Sequence, residues 1–286
     1  MSKRVHIKIA DRGWILEKCA REIAERASNV TFGTDPDPSA DLQYYINYSA
    51  RSRRVSSTEI AFFTHSERDP NARQRYFDAA RDVDHCVCMS ARYAQELIEA
   101  GIPANKVTTI APGVDLDEFR PKVRIGVVGR TYHTGRKGEA LVAEAMDVPG
   151  IEWHFTGSGW PGPSIHVPDG RMADFYNDLD YVLVPALYEG GPMSVLEGLA
   201  CGVPIISSDV GWAPDYPHIP FENGNAQSLR EVLERLVVER EELRAAVKDR
   251  TWDAWAEAHV QLFDKLWGSP QKPLPPRAQS SKRGCE

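Results

Sequence analysis

Short apolar runs and amphipathic segments alternate along most of this chain. The runs are rich in branched residues, which is typical of buried parallel strands, and the segments between them repeat their apolar positions at helical spacing. A strand is predicted over 4–10, and the helix predicted over 14–27 places Ile15, Cys19 and Ile23 on one face. This alternation predicts an α/β fold with parallel sheets.

The alternation continues in two blocks, each with the pattern of a doubly wound domain. The first block has predicted strands over 30–32, 42–48, 60–63, 85–89 and 106–110, and predicted helices over 71–81 and 91–100. The second has predicted strands over 123–128, 151–155, 181–187, 204–207 and 218–221, and predicted helices over 139–146, 173–179, 226–248 and 252–267. We therefore predict domains over 1–118 and 119–251, a closing helix over 252–268 and a disordered tail, rich in Pro, Ser and basic residues, over 269–286.

Two buried strands flank a glycine turn and a further helix in the second domain. Gly190 and Gly191 open the turn, and Pro192 stands where a helix begins without needing its amide hydrogen. Unpaired amides near Gly191, Met193 and Ser194 then offer a site for an anion such as phosphate.

Two carboxylates, Glu189 and Glu197, flank this anion site with seven residues between them. Glu189 is expected in the turn and Glu197 on the second turn of the helix. Both positions are compatible with the carboxyl edge of the sheet, where ligands of open α/β folds bind. Either glutamate alone is more often an ordinary surface residue, so the interpretation depends on the whole stretch.

That stretch resembles the signature of retaining glycosyltransferase family 4. The signature has Glu-Gly-x-Pro, a second Glu eight positions after the first, then Ala-x-Gly-x-Pro-Val-Ile and a later Gly. In this chain its positions are held by Glu189, Gly190, Pro192, Glu197, Ala200, Gly202, Pro204, Ile205, Ile206 and Gly211. Gly198 departs from the pattern, since the family usually has Ala there. The resemblance implies the GT-B fold, in which two Rossmann-like domains face each other across a cleft and the last helix crosses back onto the first domain.

The resemblance also implies roles for individual residues. Arg130 and Lys137 would hold the donor diphosphate, Glu197 the ribose hydroxyls and Glu189 the hydroxyls of the donor sugar. The family usually has four residues between its Arg and Lys, whereas this chain has six, so Arg136 is an alternative to Lys137. A guanidinium and an ammonium near a helix start suit a leaving diphosphate.

Further donor-side positions follow from the same resemblance. Amides from Gly190 to Ser194 would contact the diphosphate or the sugar. From their position in the chain, residues 157–160 and 171–172, which include Gly157, are expected to border the base pocket. His65 matches the family histidine that faces the sugar, and Gly13 matches the glycine near the diphosphate. Trp14, beside it, either lines the acceptor side or packs.

The implied reaction passes through an oxocarbenium-like state, with attack on the face that the leaving group departs from and without a covalent nucleophile. Three Asp-x-Asp pairs could suggest a metal-dependent glycosyltransferase with a different fold. None of the pairs follows a predicted strand at the position that such a metal site requires. These pairs are Asp35/Asp37, Asp115/Asp117 and Asp178/Asp180. We predict no metal and no cofactor besides the donor substrate.

Composition narrows the setting of this activity. The net charge of −7, from 34 basic and 41 acidic residues, argues against broad attraction to nucleic acid or anionic lipid. No apolar run approaches the ~20 residues of a membrane span, and the start of the chain lacks a signal-peptide core. The five cysteines form no ligand or disulfide pattern. These features predict a cytoplasmic protein.

The sequence therefore predicts a retaining glycosyltransferase that uses a nucleotide-diphosphate sugar, with UDP favoured and GDP next. The acceptor stays open between a small molecule, a glycan, a lipid-linked sugar and modified nucleic acid, and the oligomeric state is not predicted. One alternative is a sugar-nucleotide epimerase, which needs additional acid/base carboxylates. A second is a non-catalytic nucleotide-sugar-binding or scaffold protein, which has no need of Glu189, Glu197, Arg130 and His65 together.

Overall fold

A computed structural model describes residues 3–268 and divides the chain into two compact units. The first unit contains the residues up to Glu118 together with those from Lys248 onward, and the second contains Phe119–Val247. Each unit has a six-stranded sheet in which all neighbouring strands are parallel. The predicted α/β class with two Rossmann-like doubly wound domains is confirmed.

The first unit begins with six strands and three helices. These are β1 (Val5–Lys8), α1 (Ile15–Ala24), β2 (Val30–Gly33), β3 (Leu42–Tyr45), β4 (Thr58–Phe63), α2 (Pro70–Asp82), β5 (His85–Cys88), α3 (Ala91–Glu99) and β6 (Val107–Thr109). Helix α2 begins where the sequence favours it, because Pro70 occupies its first turn and Asp69 Oδ1 accepts a hydrogen bond from the Ala72 amide at 2.8 Å. Ser90 lies at the N-cap of α3, but its side chain makes no capping hydrogen bond.

The strand order of the first sheet is β2-β1-β3-β4-β5-β6. The order reverses between β1 and β3, and open α/β sheets bind ligands beyond the carboxyl ends of the strands at such a point. The connection from β3 to β4 contains only a short 3₁₀-helix, Tyr48–Ala50. A buried ion pair between Arg51 and Glu59, with an N–O distance of 2.7 Å, fixes this connection to the start of β4.

The second unit is also a parallel sheet with helices, but its strand order differs from that of the first unit. Its elements are β7 (Val123–Arg130), α4 (Glu139–Ala145), β8 (Ile151–Ser158), β9 (Ser164–Ile165), α5 (Met172–Asn177), β10 (Tyr181–Val184), α6 (Met193–Ala200), β11 (Ile205–Ser207), β12 (Ile219–Pro220) and α7 (Ala226–Ala245). The order β12-β11-β10-β7-β8-β9 is that of the Rossmann fold, and it reverses between β7 and β10.

The last helix, α8 (Trp252–Trp267), packs on the first unit. Trp255 donates a hydrogen bond from its indole nitrogen to the Cys19 carbonyl at 3.0 Å. His259 is fully buried beside it, and burial lowers the pKa of this imidazole to about 4. The neutral ring therefore donates from Nδ1 to the Trp255 carbonyl at 2.8 Å and accepts at Nε2 from the Tyr44 hydroxyl at 3.1 Å.

The structure differs from the sequence-based expectations mainly at element ends. The strand expected over 181–187 ends at Val184, because Pro185 has no amide hydrogen to continue the ladder. Strand β9 was not predicted, since it has two exposed residues and no apolar pattern. The tail predicted to be disordered over 269–286 lies outside the described residues.

Candidate active site

Charged side chains meet at the carboxyl edge of the second sheet, where its strand order reverses. The loop after β7 supplies Arg136 and Lys137, and the turn after β10 supplies Glu189. Glu189 Oε2 accepts a hydrogen bond from Arg136 Nη1 at 3.0 Å and a shorter one from Lys137 Nζ. Burial alone would raise the pKa of the Glu189 carboxyl, but these two cations outweigh it and lower the pKa. Glu189 is therefore ionised and bound to both residues proposed for the family lysine.

A third cation, Arg130, approaches the same group through an aromatic ring. The Arg130 and Arg136 guanidinium carbons lie 5.0 and 4.5 Å from the centroid of the Tyr132 ring. The interactions with Arg130 and then with Arg136 lower the pKa of Tyr132. Tyr132 thus connects two guanidiniums that would otherwise repel each other, one at the end of β7 and one in the loop that follows.

The glycine turn between β10 and α6 is packed from behind by the loop after β11. A Cβ at Gly191 would lie 2.4 Å from the Trp212 indole, and the same indole donates to the Pro192 carbonyl at 3.1 Å. Gly211 has φ +55°, and a Cβ there would lie 2.7 Å from the Gly190 carbonyl oxygen. Glycine at both positions therefore allows the two loops to approach closely.

Helix α6 begins directly after this turn and presents free amides. Pro192 is its N-cap, and its carbonyl accepts from the Val195 amide at 3.1 Å. Within residues 3–268, neither a carbonyl nor a side chain accepts a hydrogen bond from the amides of Met193 and Ser194. These amides and the positive end of the helix lie at the position where the sequence predicts an anion site.

Glu197 lies on the second turn of α6, and one of its two carboxylate oxygens accepts a hydrogen bond. Tyr176 of α5 donates a hydrogen bond to Glu197 Oε2 at 2.6 Å. Burial, and then this hydrogen bond, raise the pKa of Tyr176, so its hydroxyl keeps its proton. Within residues 3–268, Oε1 of Glu197 has no hydrogen-bond partner, which leaves it available to a diol.

The departure at Gly198 has a steric explanation. A Cβ at this buried residue would lie 2.8 Å from Ile205 Cδ1 and 3.1 Å from Val182 Cγ2. Helix α6 therefore packs against β10 and β11 more closely than an alanine allows without movement of these side chains.

Gly157 lies at the same carboxyl edge, opposite Gly129 on β7. It has φ +106°, and a Cβ there would lie 2.0 Å from the Gly129 carbonyl oxygen. That carbonyl also accepts from the Trp160 indole at 2.9 Å, and Trp160 stacks on Phe155 in the core. The glycine is thus required for strand packing, and it leaves open backbone at the position expected to border the base.

The first-unit residues also follow the carboxyl ends of their strands. Gly13, after β1, has φ +82°, and its amide donates to Glu17 at 2.6 Å. His65, after β4, lies 3.0 Å from Thr64 Oγ1 through Nδ1 and 3.5 Å from Glu67 Oε1 through Nε2. Trp14 is 69% exposed, so it is not packed in the core of the first unit.

The described residues contain neither a cluster of metal ligands nor a membrane-spanning helix. Among residues 3–268, no cluster of three or more His, Cys, Asp or Glu side chains is arranged to hold a metal ion. In the same range, every helix is too short or too polar to cross a membrane.

Two family models match separate parts of the chain. The model of glycosyltransferase family 4 matches residues 44–118, and the model of glycosyl transferases group 1 matches residues 164–251, which include Glu189 and Glu197. Both models describe glycosyltransferases. The resemblance read from the signature stretch is confirmed.

Curated glycosyltransferases match this chain in part. An alpha-galactosylglucosyldiacylglycerol synthase of Streptococcus pneumoniae is 26% identical over 216 residues, which cover 62% of this chain and 57% of that protein. A D-inositol 3-phosphate glycosyltransferase of Catenulispora acidiphila is 26% identical over 189 residues, which cover 50% of this chain and 44% of that protein. The chain spans about half the length of these relatives.

Solved structures resemble this chain over most of its length at low identity. HepE of Anabaena in complex with UDP-glucose is 12% identical with a TM-score of 0.42, covering 92% of this chain and 99% of that one. A lipopolysaccharide outer core galactosyltransferase, WaaB, is 13% identical with a TM-score of 0.36, covering 92% and 100%.

Three residues of this candidate site were not predicted from the sequence. Tyr132 lies in the lengthened loop between Arg130 and Lys137, and that extra length is a signal that something is added there. Tyr176 and Trp212 contact the site from positions 21 and 20 residues away from their partners. No local pattern marks such contacts, because they depend on how α5 and the loop after β11 pack.

Proposed function

We propose that this chain is a retaining glycosyltransferase that moves a sugar, of the hexosyl type, from a nucleotide-diphosphate sugar to a hydroxyl acceptor. The observation that supports it best is the Glu189–Arg136–Lys137 cluster beside the open amides of α6 and Glu197. A UDP-sugar is the favoured donor, as is frequent in the family, and a GDP-sugar is next. No metal or further cofactor takes part in the proposal.

The diphosphate is the part of the donor that this edge suits most directly. Arg130, Arg136 and Lys137 supply three cations, and the amides of Met193 and Ser194 supply neutral donors at the start of α6. A guanidinium binds phosphate oxygens in a fork, and a helix N-terminus adds its positive field. These groups stabilise the charge that develops on the leaving diphosphate.

Glu197 binds the ribose in this proposal. Its free Oε1 accepts from a ribose hydroxyl, while Tyr176 fixes the other oxygen at 2.6 Å. Because Tyr176 is buried and protonated, it limits the carboxylate to one orientation. Gly157, at the edge of β8, lies at the expected border of the base.

Glu189 exchanges its partners when the donor binds. Without donor, its carboxylate neutralises Arg136 and Lys137, whose side chains are 26% and 21% exposed and therefore open to a ligand. The diphosphate takes these cations, and Glu189 then accepts hydrogen bonds from hydroxyls of the donor sugar. His65 matches the family histidine that faces the donor sugar, and we assign it the same role.

The chemical step breaks the bond between the anomeric carbon and the β-phosphate oxygen through an oxocarbenium-like state. The acceptor oxygen forms its bond to the same face, and its proton passes to the departing phosphate oxygen. No protein nucleophile is needed, so the chain contributes positioning and leaving-group stabilisation.

We also propose that the protein works in the cytoplasm. Cys19, Cys86 and Cys88 are buried free thiols, and burial raises their pKa to about 12. Unpaired, unreactive thiols are typical of a reducing compartment.

Thermal unfolding against UDP-, GDP- and ADP-sugars tests the proposal. A donor at 100 times its Kd should stabilise the protein by about 2.7 kcal/mol, which is a measurable rise in Tm. Glu197→Ala should abolish the rise, whereas Glu242→Ala, an exposed glutamate on α7 of the same unit, should keep it. A chain that no nucleotide sugar stabilises, or a full shift in Glu197→Ala, contradicts the proposal.

A further inference from the structure

The first unit contains a cleft of about 720 Å³ at the carboxyl ends of β3 and β4. It lies between the segment 47–51 and helix α2, and we call it the Tyr48 cleft. His65 and Thr64, which follow β4, form part of its wall. Its volume is in the range of small-molecule sites, about 300–1,000 Å³.

An aromatic wall gives the Tyr48 cleft a rigid apolar surface. The Tyr48 ring is stacked on Phe63, with centroids 5.3 Å apart and planes inclined by 6°. Tyr76 meets it edge-on at 5.2 Å. Because Phe63 and Tyr76 are fully buried, they hold the half-buried Tyr48 in place at the surface of the cleft.

Polar groups surround this ring. Asn47 Oδ1 accepts from the Ser49 amide at 3.0 Å and from the Ser49 hydroxyl at 2.8 Å. These bonds fix the Asn47 side chain and leave its amide NH₂ as a donor. Thr64 and His65 add a hydroxyl and an imidazole to the same lining. One apolar surface with a few fixed donors and acceptors suits a ring that carries hydroxyls.

The charges of the lining argue against an anionic ligand. Two arginines, Arg51 and Arg75, are set against three carboxylates, Glu67, Asp78 and Asp82. Arg51 is only 8% exposed and is engaged by Glu59 and Asp82. Arg75 is thus the one lining arginine without an ion pair within residues 3–268, whereas phosphate sites usually gather several cations.

We propose that the Tyr48 cleft binds an uncharged, polyhydroxylated acceptor, such as a sugar or a cyclitol without a phosphate group. The acceptor role rests on the proposed transferase function, whereas the binding itself does not. His65 is the link between the two, because it lines the cleft and also matches the family histidine that faces the donor sugar.

Saturation-transfer NMR on the full chain tests the binding without any donor. The probes are glucose and myo-inositol, with glucose 6-phosphate as the charged counterpart of glucose. Ala72→Phe places a ring in the cleft from α2, and Asn71→Phe places the same ring at an exposed position outside the lining. The proposal expects signals from both neutral probes. Ala72→Phe should lower the affinity by about tenfold or more, and Asn71→Phe should leave the affinity unchanged.

Three results overturn the inference. They are no transfer to either neutral probe, equal affinity in Ala72→Phe and wild type, and tighter binding of glucose 6-phosphate than of glucose. Folding of both variants is checked by their Tm. The donor-induced Tm shift and its loss in Glu197→Ala depend on the second unit, so a failure of the transferase proposal would appear there and not in the probe signals.

Discussion

Each unit of this chain pairs one glutamate with basic side chains, one in the first unit and two in the second, and the two clusters differ in burial and in position. In the first unit, Glu59 has no exposed side-chain surface, and Arg51 is 8% exposed. In the second unit, Glu189 is 15% exposed and its partners Arg136 and Lys137 are 26% and 21% exposed. The same ionic chemistry therefore stands in a closed and in an open setting.

The place of each cluster explains the difference. Glu59 lies near the start of β4, away from the ligand-binding edge, and it also accepts hydrogen bonds from the Val55 and Ser56 amides. Its role is to fix the connection from β3, which lacks a crossover helix. Glu189 lies beyond the carboxyl end of β10, where the strand order reverses and ligands approach. A closed cluster stabilises a loop, whereas an open one is available for exchange with a substrate.

The largest expected effect is on folding. Glu59→Ala leaves the Arg51 guanidinium buried beside a cavity, so the free energy of unfolding should fall by about 3–5 kcal/mol. Urea unfolding of Glu59→Ala and Glu189→Ala measures both clusters in one assay. We expect a change below about 1 kcal/mol for Glu189→Ala, because its partners can be solvated. Equal losses in the two variants would remove the distinction between a closed and an open cluster.

Acid should also act on the first unit. Burial lowers the pKa of His85 and of His259 from 6.5 to about 4, so both are neutral when folded. Between these values the unfolded chain binds more protons, and the free energy of unfolding falls as the pH drops. From pH 7 to pH 5 the expected loss is about 2 kcal/mol for each histidine.

Urea unfolding at pH 7 and pH 5 measures this loss. His259→Gln keeps a polar side chain but cannot titrate. The loss in the free energy of unfolding between pH 7 and pH 5 should therefore be smaller in this variant by about the contribution of one histidine. The explanation fails if the wild-type stability is the same at both pH values, or if His259→Gln keeps the whole loss.

A smaller effect tests whether Glu189 releases Arg136 and Lys137 to the donor or only holds them in position. Glu189→Gln removes the carboxylate that competes for Arg136 and Lys137, so UDP should bind about threefold to tenfold more tightly. Calorimetry with UDP measures this, and Glu242→Gln controls for the change in net charge. Weaker UDP binding in Glu189→Gln would show that the carboxylate supports the site before the donor arrives.

The sequence predicted the second unit's edge better than the first unit's cleft. Glu189, Pro192 and Glu197 belong to a contiguous signature, and their backbone is set by a strand, a turn and a helix start that local rules describe. The choice between Arg136 and Lys137 could not be made, because the loop before α4 has no periodic pattern and turns at Gly135 and Gly138 with positive φ. In the structure both side chains reach Glu189.

Contacts distant in sequence account for what the sequence did not predict. No sequence pattern marks Tyr176 on its short helix. Its hydrogen bond to Glu197 forms only because α5 packs beside α6. The Tyr48 cleft depends on the path of residues 46–57, which is fixed by the buried pair of Arg51 and Glu59. An Arg/Ser-rich segment predicts a loop but not its conformation, since its ion pairs form only after the sheet has assembled.

The most direct test of the central claim compares UDP with uridine by calorimetry. If Arg136 and Lys137 hold the donor diphosphate, wild type should prefer UDP strongly, and the double variant Arg136→Ala/Lys137→Ala should lose about a hundredfold of that preference. Uridine, which has no phosphate, should bind both proteins alike through the ribose and base contacts. A double variant that keeps the full preference for UDP would contradict the account, because the cations held by Glu189 would then have no part in binding the diphosphate.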